Sequence, residues 1–422
     1  MLHLLLTRRF APLFWSQFFS AFNDNFVRQM LGILILFRLG AGQAGALVTL
    51  AVAIFILPSI ILSGLGGEIA DSHDKALIVR RLKFAEIFVQ MIAAAGFWFQ
   101  SMPLLYAALL GLGTIAALFG PIKYGILPDH LAHNELPSGN ALVEAATFLA
   151  ILLGLTVGGY AAAQGREPIS VVVQLMVIAL ACWGTSRFIP PTAIAAPDLK
   201  ITPNVLASSF RLLQELGSQP RIATGALCVS WFWMVGAVAL SLIPVAIKQR
   251  IGGDIGVETA VSALFAIGIA VGSISAAVAS HERIDLRAMP FSAVLMGLSL
   301  LDLGRIMLEL PPTTSETPLA TFLASANGLH IGLDVLLLSG AGGVFVVPVF
   351  AAVQAWAEPV RRARVIGGAN VMTALFMVGG SLASAGLLSL AGLSEPMVMI
   401  GLGLLNLGFG AWVYRFSRQR DA

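Results

Sequence analysis

Residues 64–81 read GLGGEIADSHDKALIVRR, and they follow the second long apolar run of the chain. Small residues allow two helices to approach closely, and three glycines occur within the first four positions of this stretch. An acid such as Asp71 gains stability beside the positive end of a helix dipole, and the basic residues after it can form ionic contacts that break again. We therefore predict that Gly67, Asp71 and Lys75 act in gating, as a latch on one side of a membrane. The alternative is a solvated loop whose basic residues only mark the cytoplasmic side.

The composition predicts that the rest of the chain lies largely within a bilayer. Of 422 residues, 58% are hydrophobic and 11% are charged, whereas soluble domains carry about 25% charged residues. A spanning helix needs about 20 apolar residues, and the chain holds about twelve such runs, the second predicted over 43–66 and the third over 84–101. The predicted fold class is an all-α polytopic membrane protein with twelve transmembrane helices.

The predicted helices place the basic residues unequally on the two sides of the membrane. Cytoplasmic loops carry an excess of Lys and Arg, so the richer side is expected to be cytoplasmic, with both termini on it. The richer side receives Arg8, Arg9, Lys75, Arg80, Arg81, Lys83, Lys123, Lys200, Arg211, Arg221, Arg283, Arg287, Arg361, Arg362, Arg364, Arg415, Arg418 and Arg420. The other side receives Arg38, Arg166, Lys248 and Arg250.

The longest polar break divides the chain into two halves. We predict an N-terminal six-helix bundle over 1–189, a cytoplasmic linker over 190–220 and a C-terminal six-helix bundle over 221–422. Within the linker, residues 204–216 carry an apolar stripe, which is typical of a helix lying along a membrane surface.

The first apolar run carries an unusual group of polar residues near its middle, namely Asn23, Asp24, Asn25 and Arg28. A charge at bilayer depth costs about 2.5–3.5 kcal/mol on insertion scales, so it normally faces a protein interior or a water-filled path. Asp24 and Arg28 are four residues apart and share a helix face. They either form a structural ion pair between packed helices or bind something polar.

Four segments together carry a family resemblance. The stretch over 64–81 resembles the loop signature of the major facilitator superfamily. Residues 19–25 (FSAFNDN), residues 121–128 (PIKYGILP) with 140–147 (NALVEAAT), and residues 342–348 (GGVFVVP) look like segments of the bacterial lysophospholipid transporter family. The resemblance covers essentially the whole chain. It implies the major facilitator fold and inward movement (flipping) of lysophospholipids across the bacterial inner membrane by alternating access.

With a lysophospholipid as the expected cargo, the chemistry of the polar residues suggests their roles. Asp24, with Asn23 and Asn25, is expected to meet the ammonium group of an ethanolamine headgroup, while Arg28 meets its phosphate. A second expected gating group lies at the ends of the fourth and fifth spans and comprises Lys123, Tyr124, Asn140 and Glu144, with Glu144 a candidate partner for Lys123. The stand-alone transporters are expected to carry a basic residue within the seventh span, whereas this chain has no charge between Ser230 and Lys248. In this region it is closer to the transporter part of acyltransferase-fused relatives.

The remaining expectations concern partners and rival functions. We expect no enzyme activity, no cofactor and no metal site, no ATP dependence and no nucleic-acid partner. Re-acylation of the cargo is expected from a separate acyltransferase and acyl-carrier-protein ligase. Asp302 and Arg305 are spaced to form a structural ion pair. Two alternatives stay open: a proton-coupled exporter of drugs or small metabolites, and a non-transporting scaffold that presents a lipid to an acyltransferase.

Overall fold

The computed structural model describes residues 1–39, 41–163, 168–280 and 283–418. Arg166 and Arg420, two of the basic residues used for the charge distribution, lie outside these ranges. Twelve helices of 19 or more residues account for most of the described chain. Their bounds are α1 Ala11–Leu39, α2 Ala41–Ser72, α3 Lys75–Trp98, α4 Met102–Gly125, α5 Leu136–Ala163, α6 Pro168–Ser186, α7 Pro220–Ile251, α8 Ile255–Ala279, α9 Met289–Glu309, α10 Ala326–Trp356, α11 Arg362–Ser389 and α12 Glu395–Arg418.

Ten helices in the described part of the chain are long and apolar enough to cross a membrane. The two long helices that miss this criterion are α1 and α3. Both carry charges within their length, Asp24 and Arg28 in α1 and Lys83 and Glu86 in α3. The helices that are least suited to lipid are therefore the ones whose polar residues need a protein partner or a ligand.

The predicted start of the third span was wrong. The helix begins at Lys75, nine residues before the predicted residue 84, because the Asp74 side chain caps it by accepting a hydrogen bond from the backbone N–H of Ala76 at 3.0 Å. The second helix likewise continues through the glycine-rich stretch to Ser72 rather than ending at residue 66. As a result, Lys83 lies in the second third of α3 rather than in a cytoplasmic loop.

The chain forms two compact units. The first comprises Met1–Gly139, Leu149–Ala226 and Val353–Ala374, and the second comprises Asn140–Phe148, Leu227–Ala352 and Leu375–Ala422. Within the first unit, α1 packs against α2 and α6, and α4 packs against both α2 and α3. Within the second unit, α9 packs against α12. The division into six-helix bundles over 1–189 and 221–422 stays a prediction.

The predicted linker helix exists and runs over Val205–Gly217. Its N-cap is Asn204, whose side chain accepts hydrogen bonds from the backbone N–H groups of Leu206 and Ala207. The helix packs against α2, and it does so closely, since a Cβ on Gly64 would lie 2.9 Å from the Cα of Ser209. The glycine at position 64 is thus explained by a helix contact.

Candidate functional site

Asp24 and Arg28 lie in the middle of α1 and are both half-buried. Contrary to one of the two sequence interpretations, they do not form an ion pair. The guanidinium of Arg28 instead donates a hydrogen bond to the side-chain oxygen of Asn25 and lies 4.7 Å from the centre of the Phe55 ring. Asp24 accepts no hydrogen bond and forms no salt bridge with any residue in the described ranges.

The two asparagines beside Asp24 differ from each other in their surroundings. Asn25 is buried, and its amide donates to the backbone carbonyl of Ala21 at 2.7 Å. Asn23 is fully buried, and neither polar atom of its side chain has a hydrogen-bond partner among the described residues. Asp24, whose carboxylate has no partner among the described residues (the open carboxylate), therefore lies within one helical turn of two asparagines. The described residues provide hydrogen bonds to Asn25 but none to the side chain of Asn23.

A second charged group lies on α3 and is completely enclosed. Lys83 Nζ is 2.8 Å from a carboxylate oxygen of Glu86, and the exposed fractions of the two side chains are 0% and 1%. The ammonium also donates to Ser20 Oγ at 2.7 Å and lies 4.0 Å from the centre of the Phe119 ring. Ser20 belongs to α1, so this cluster joins α3 to the same helix that carries Asp24.

Sequence reasoning missed the cluster of Lys83 and Glu86. Lys83 was assigned to a cytoplasmic loop because the third span was started too late. The signal that could have found the pair is the spacing of three residues between an ammonium and a carboxylate, which sets them on one helix face. Gln90, one turn beyond Glu86, is also fully buried and continues this polar stripe on α3.

The Asp24 region has the chemistry for a zwitterionic ligand. Among the described residues, the Asp24 carboxylate has no hydrogen-bond or ion-pair partner. One turn away, the Nε of Arg28 also has no hydrogen-bond partner among them. A carboxylate binds an ammonium by charge-assisted hydrogen bonds, and a guanidinium binds phosphate in the same way. Opposite charges one helical turn apart can therefore meet the two charges of one headgroup.

Asp71, in the last turn of α2, forms the predicted contact with a helix N-terminus. Its fully buried carboxylate accepts hydrogen bonds from the backbone N–H groups of Ala363 and Arg364, at 3.0 and 3.1 Å, in the first turn of α11. The Nε of Arg364 donates to the same carboxylate at 3.1 Å. The helix dipole and the guanidinium both stabilise the negative charge of Asp71 here.

Lys75, at the start of α3, adds an ion pair next to the contact between Asp71 and α11. Its ammonium lies 2.8 Å from a carboxylate oxygen of Asp129, in the short helix Leu127–His130, and Arg362 lies 3.5 Å from the other oxygen of Asp129. Asp129 thus connects the start of α3 with the start of α11. We call Asp71, Lys75, Asp129, Arg362 and Arg364 the latch.

Gly67 lies at a close contact between α2 and α11, beside the latch. A Cβ on Gly67 would lie 2.7 Å from the carbonyl oxygen of Ala363 and 2.8 Å from the Cα of Arg364, and both atoms belong to the backbone. Because the backbone of a helix cannot shift as a side-chain tip can, only glycine fits this contact without moving the helices.

The second predicted gating group is divided between the two compact units. Lys123 and Tyr124 belong to the first unit, at the end of α4, where the ammonium of Lys123 lies 4.3 Å from the centre of the Tyr124 ring. Asn140 and Glu144 belong to the second unit and are both fully buried in α5. The pairing of Lys123 with Glu144 stays a prediction.

The second unit contains another polar cluster, on α9 and α10. The predicted pair of Asp302 and Arg305 is confirmed, with 2.8 Å between the charged groups. The structure adds His330, whose Nε2 lies 2.7 Å from the second oxygen of Asp302, and Asp334, one turn beyond His330. From the sequence, Asp302 was paired only with Arg305, and His330 was not singled out.

Known proteins share both the fold and the sequence pattern of this chain. A sequence profile described as Major Facilitator Superfamily matches residues 13–333. The lysophospholipid transporters LplT of Yersinia pestis (strain Pestoides F) and Yersinia pseudotuberculosis serotype O:3 (strain YPIII) are each 28% identical over 410 residues, which covers 96% of this chain and 90% of theirs.

Two solved structures illustrate how widely the fold is shared. The human organic anion transporter MFSD10 (TETRAN) superposes with a TM-score of 0.72 at 18% identity, over 96% of this chain and 99% of its own. A bacterial homologue of the iron transporter ferroportin, in an outward-facing state, gives 0.68 at 14% identity, over 97% and 99%. At these identities the superpositions establish the arrangement of helices but not the cargo.

Proposed function

Because this chain belongs to the Major Facilitator Superfamily, and is therefore a multi-pass membrane transporter, we propose that its cargo is a lysophospholipid. The observation that carries the proposal is the open carboxylate of Asp24 one turn from Arg28 in the middle of α1. The similarity to lysophospholipid transporters over 96% of the chain supports it. A zwitterionic headgroup such as that of lysophosphatidylethanolamine offers the matching charges.

In this proposal, the headgroup binds to α1. Asp24 receives the ammonium, Arg28 donates to the phosphate, and Asn25 holds the guanidinium through the hydrogen bond described above. Asn23 turns to the ligand only in another state of the transport cycle, since it is fully buried here. The acyl chain stays against apolar helix surfaces or lipid, where its burial costs nothing in hydrogen bonds.

The latch supplies the conformational step. In alternating access, one side of the transporter must close while the other opens, so the contacts that close a side must be able to break. The hydrogen bonds of Asp71 and the ion pair of Lys75 are contacts of this kind, and Gly67 lets the helices close around them. Lys123, Tyr124, Asn140 and Glu144 complete the gate in this proposal.

The proposed setting is the bacterial inner membrane, with both termini in the cytoplasm and lysophospholipid moving inward. The unequal distribution of Lys and Arg supports this orientation. A separate acyltransferase and acyl-carrier-protein ligase would then re-acylate the delivered lipid.

Flux in proteoliposomes that contain only this protein tests the proposal. Labelled lysophospholipids with ethanolamine, glycerol and choline headgroups are supplied on one side, and their arrival in the other leaflet is followed with and without a pH gradient. We expect the ethanolamine lipid to move faster than in protein-free vesicles. Binding without movement would favour a lipid-presenting scaffold, and gradient-driven export of small molecules with no lipid movement would favour an exporter. Either result contradicts the proposal.

A further inference from the structure

Three side chains on α9 and α10 bring metal-binding atoms together in the second compact unit. Asp302, His330 and Asp334 each offer one ligand atom, and these atoms all lie within 4.8 Å of one another. The Nε2 of His330 lies 2.7 Å from Asp302 Oδ2 and 3.7 Å from Asp334 Oδ2. Ligand atoms around a tetrahedral zinc ion lie about 3.3 Å apart, so the three atoms need only small shifts to share one ion.

Asp334 gives a second, independent indication of a ligand. Only 5% of its surface is exposed, and its Oδ2 has no hydrogen-bond partner among the described residues. A buried carboxylate oxygen without a partner is costly, and it is normally satisfied by a cation or a donor. This same oxygen lies 3.7 Å from His330 Nε2, on the side of Asp334 that faces the cluster.

The charges around the cluster favour a dication. Asp302, Asp334 and Glu309 are three carboxylates, and Arg305 is the guanidinium that pairs with two of them, Asp302 and Glu309. Arg305 occupies the Oδ1 side of Asp302 and leaves Oδ2 facing His330. A guanidinium that holds a carboxylate in this way orients it as a metal ligand, in the manner of the outer partners of known metal sites.

We propose that Asp302, His330 and Asp334 bind a divalent first-row transition-metal ion. One imidazole nitrogen and two carboxylate oxygens form a donor set that suits ions such as Zn²⁺, Mn²⁺ or Co²⁺, with water completing the coordination. The exposed fractions of the Asp302 and His330 side chains, 38% each, leave a path for the ion to enter. The site is separate from the Asp24 region and does not depend on the identity of the transported lipid.

Equilibrium dialysis of the tag-free, full-length protein in detergent against Co²⁺ tests the site, because the visible absorption of Co²⁺ reports its ligands. We expect one Co²⁺ per chain. Asp334→Asn and His330→Ala should each weaken binding by at least about tenfold. Glu316→Gln and His133→Ala serve as matched controls, since each removes a carboxylate or an imidazole at an exposed position outside the cluster, and both should bind as the wild type does.

A second measurement uses only the wild-type protein, so it does not depend on whether a variant folds. Diethyl pyrocarbonate modifies accessible imidazoles, and mass spectrometry locates the modified residues. Co²⁺ should protect His330 from the reagent and leave His133 as reactive as before. Equal modification of His330 with and without Co²⁺, or binding that Asp334→Asn leaves unchanged, would overturn the proposal.

Discussion

Two pairs of opposite charges lie in helices α1 and α3, each pair spaced about one turn apart, and they behave in opposite ways. Lys83 and Glu86 close to 2.8 Å and are completely buried, with Ser20 and Phe119 completing the environment of the ammonium. Asp24 and Arg28 are half-buried, and they do not pair. Spacing alone therefore does not decide whether two charges form a structural ion pair.

We infer from this difference that Lys83 and Glu86 serve the packing of the helices, whereas Asp24 serves the binding proposed above. A buried charge that has all its partners holds helices together, and it is not free to bind a ligand without losing those partners. A carboxylate without a partner at the middle of a spanning helix is costly to keep, so it is expected where a ligand uses it. In this account α3 positions α1 through Ser20, and α1 presents Asp24.

The largest expected effect is a loss of stability when the ion pair of Lys83 and Glu86 is broken. Lys83→Met leaves the Glu86 carboxylate buried and unpaired, which should destabilise the folded protein by about 3–5 kcal/mol. Thermal unfolding of the purified protein in detergent, followed by size-exclusion chromatography, measures the loss. The double variant Lys83→Met with Glu86→Met removes both charges and should recover most of the stability. A double variant as unstable as the single one would contradict a role of the pair in packing.

A smaller effect is expected at Asp71, whose contacts with α11 break during transport in the cycle proposed above. Asp71→Ala removes the carboxylate that accepts hydrogen bonds from two backbone N–H groups and from the guanidinium of Arg364. The closed latch should become less populated and lysophospholipid flux should fall by about tenfold, a change of about 1.4 kcal/mol in the balance of states. If Asp71→Ala has the wild-type flux, the contact between Asp71 and α11 plays no part in the transport cycle.

Gly67→Ala tests the same latch by steric hindrance, and Gly184→Ala is its matched control. An added Cβ meets backbone atoms at position 67 and has no atom within 4 Å at position 184. We expect Gly67→Ala to be expressed at a near-normal level and to lose lysophospholipid flux. Gly184→Ala should keep the wild-type flux. The same flux in both variants would show that the α2–α11 contact tolerates widening.

The smallest effect is expected at Arg28, because a lysine keeps the charge there. Lysine binds phosphate as a point charge and lacks the planar fork of arginine, so Arg28→Lys should raise the half-saturating lipid concentration by about tenfold or less. The measurement is flux against lysophosphatidylethanolamine concentration. An unchanged concentration dependence would indicate that Arg28 serves only its contacts with Asn25 and Phe55.

Much of the fold could be predicted from the sequence, since long apolar runs and a glycine-rich stretch with an acid after the second run define it. The contact of Asp71 with a helix N-terminus was also predicted, because an acid beside small residues can approach the positive end of a helix dipole. The structural cluster of Lys83 and Glu86 was missed because a run of charges at a helix start resembles a loop. His330 was missed because its partner, Asp302, lies on another helix, 28 residues before it.

The most direct test of the open carboxylate is uptake of labelled lysophosphatidylethanolamine by spheroplasts of a transporter-null strain that express the wild type, Asp24→Asn or the control Asp198→Asn. Asparagine keeps the shape of Asp24 and removes its charge, while Asp198 is an exposed linker acid. The account predicts that at equal membrane expression the wild type and Asp198→Asn take up the lipid, and Asp24→Asn does not. Uptake by Asp24→Asn at the wild-type rate would contradict it.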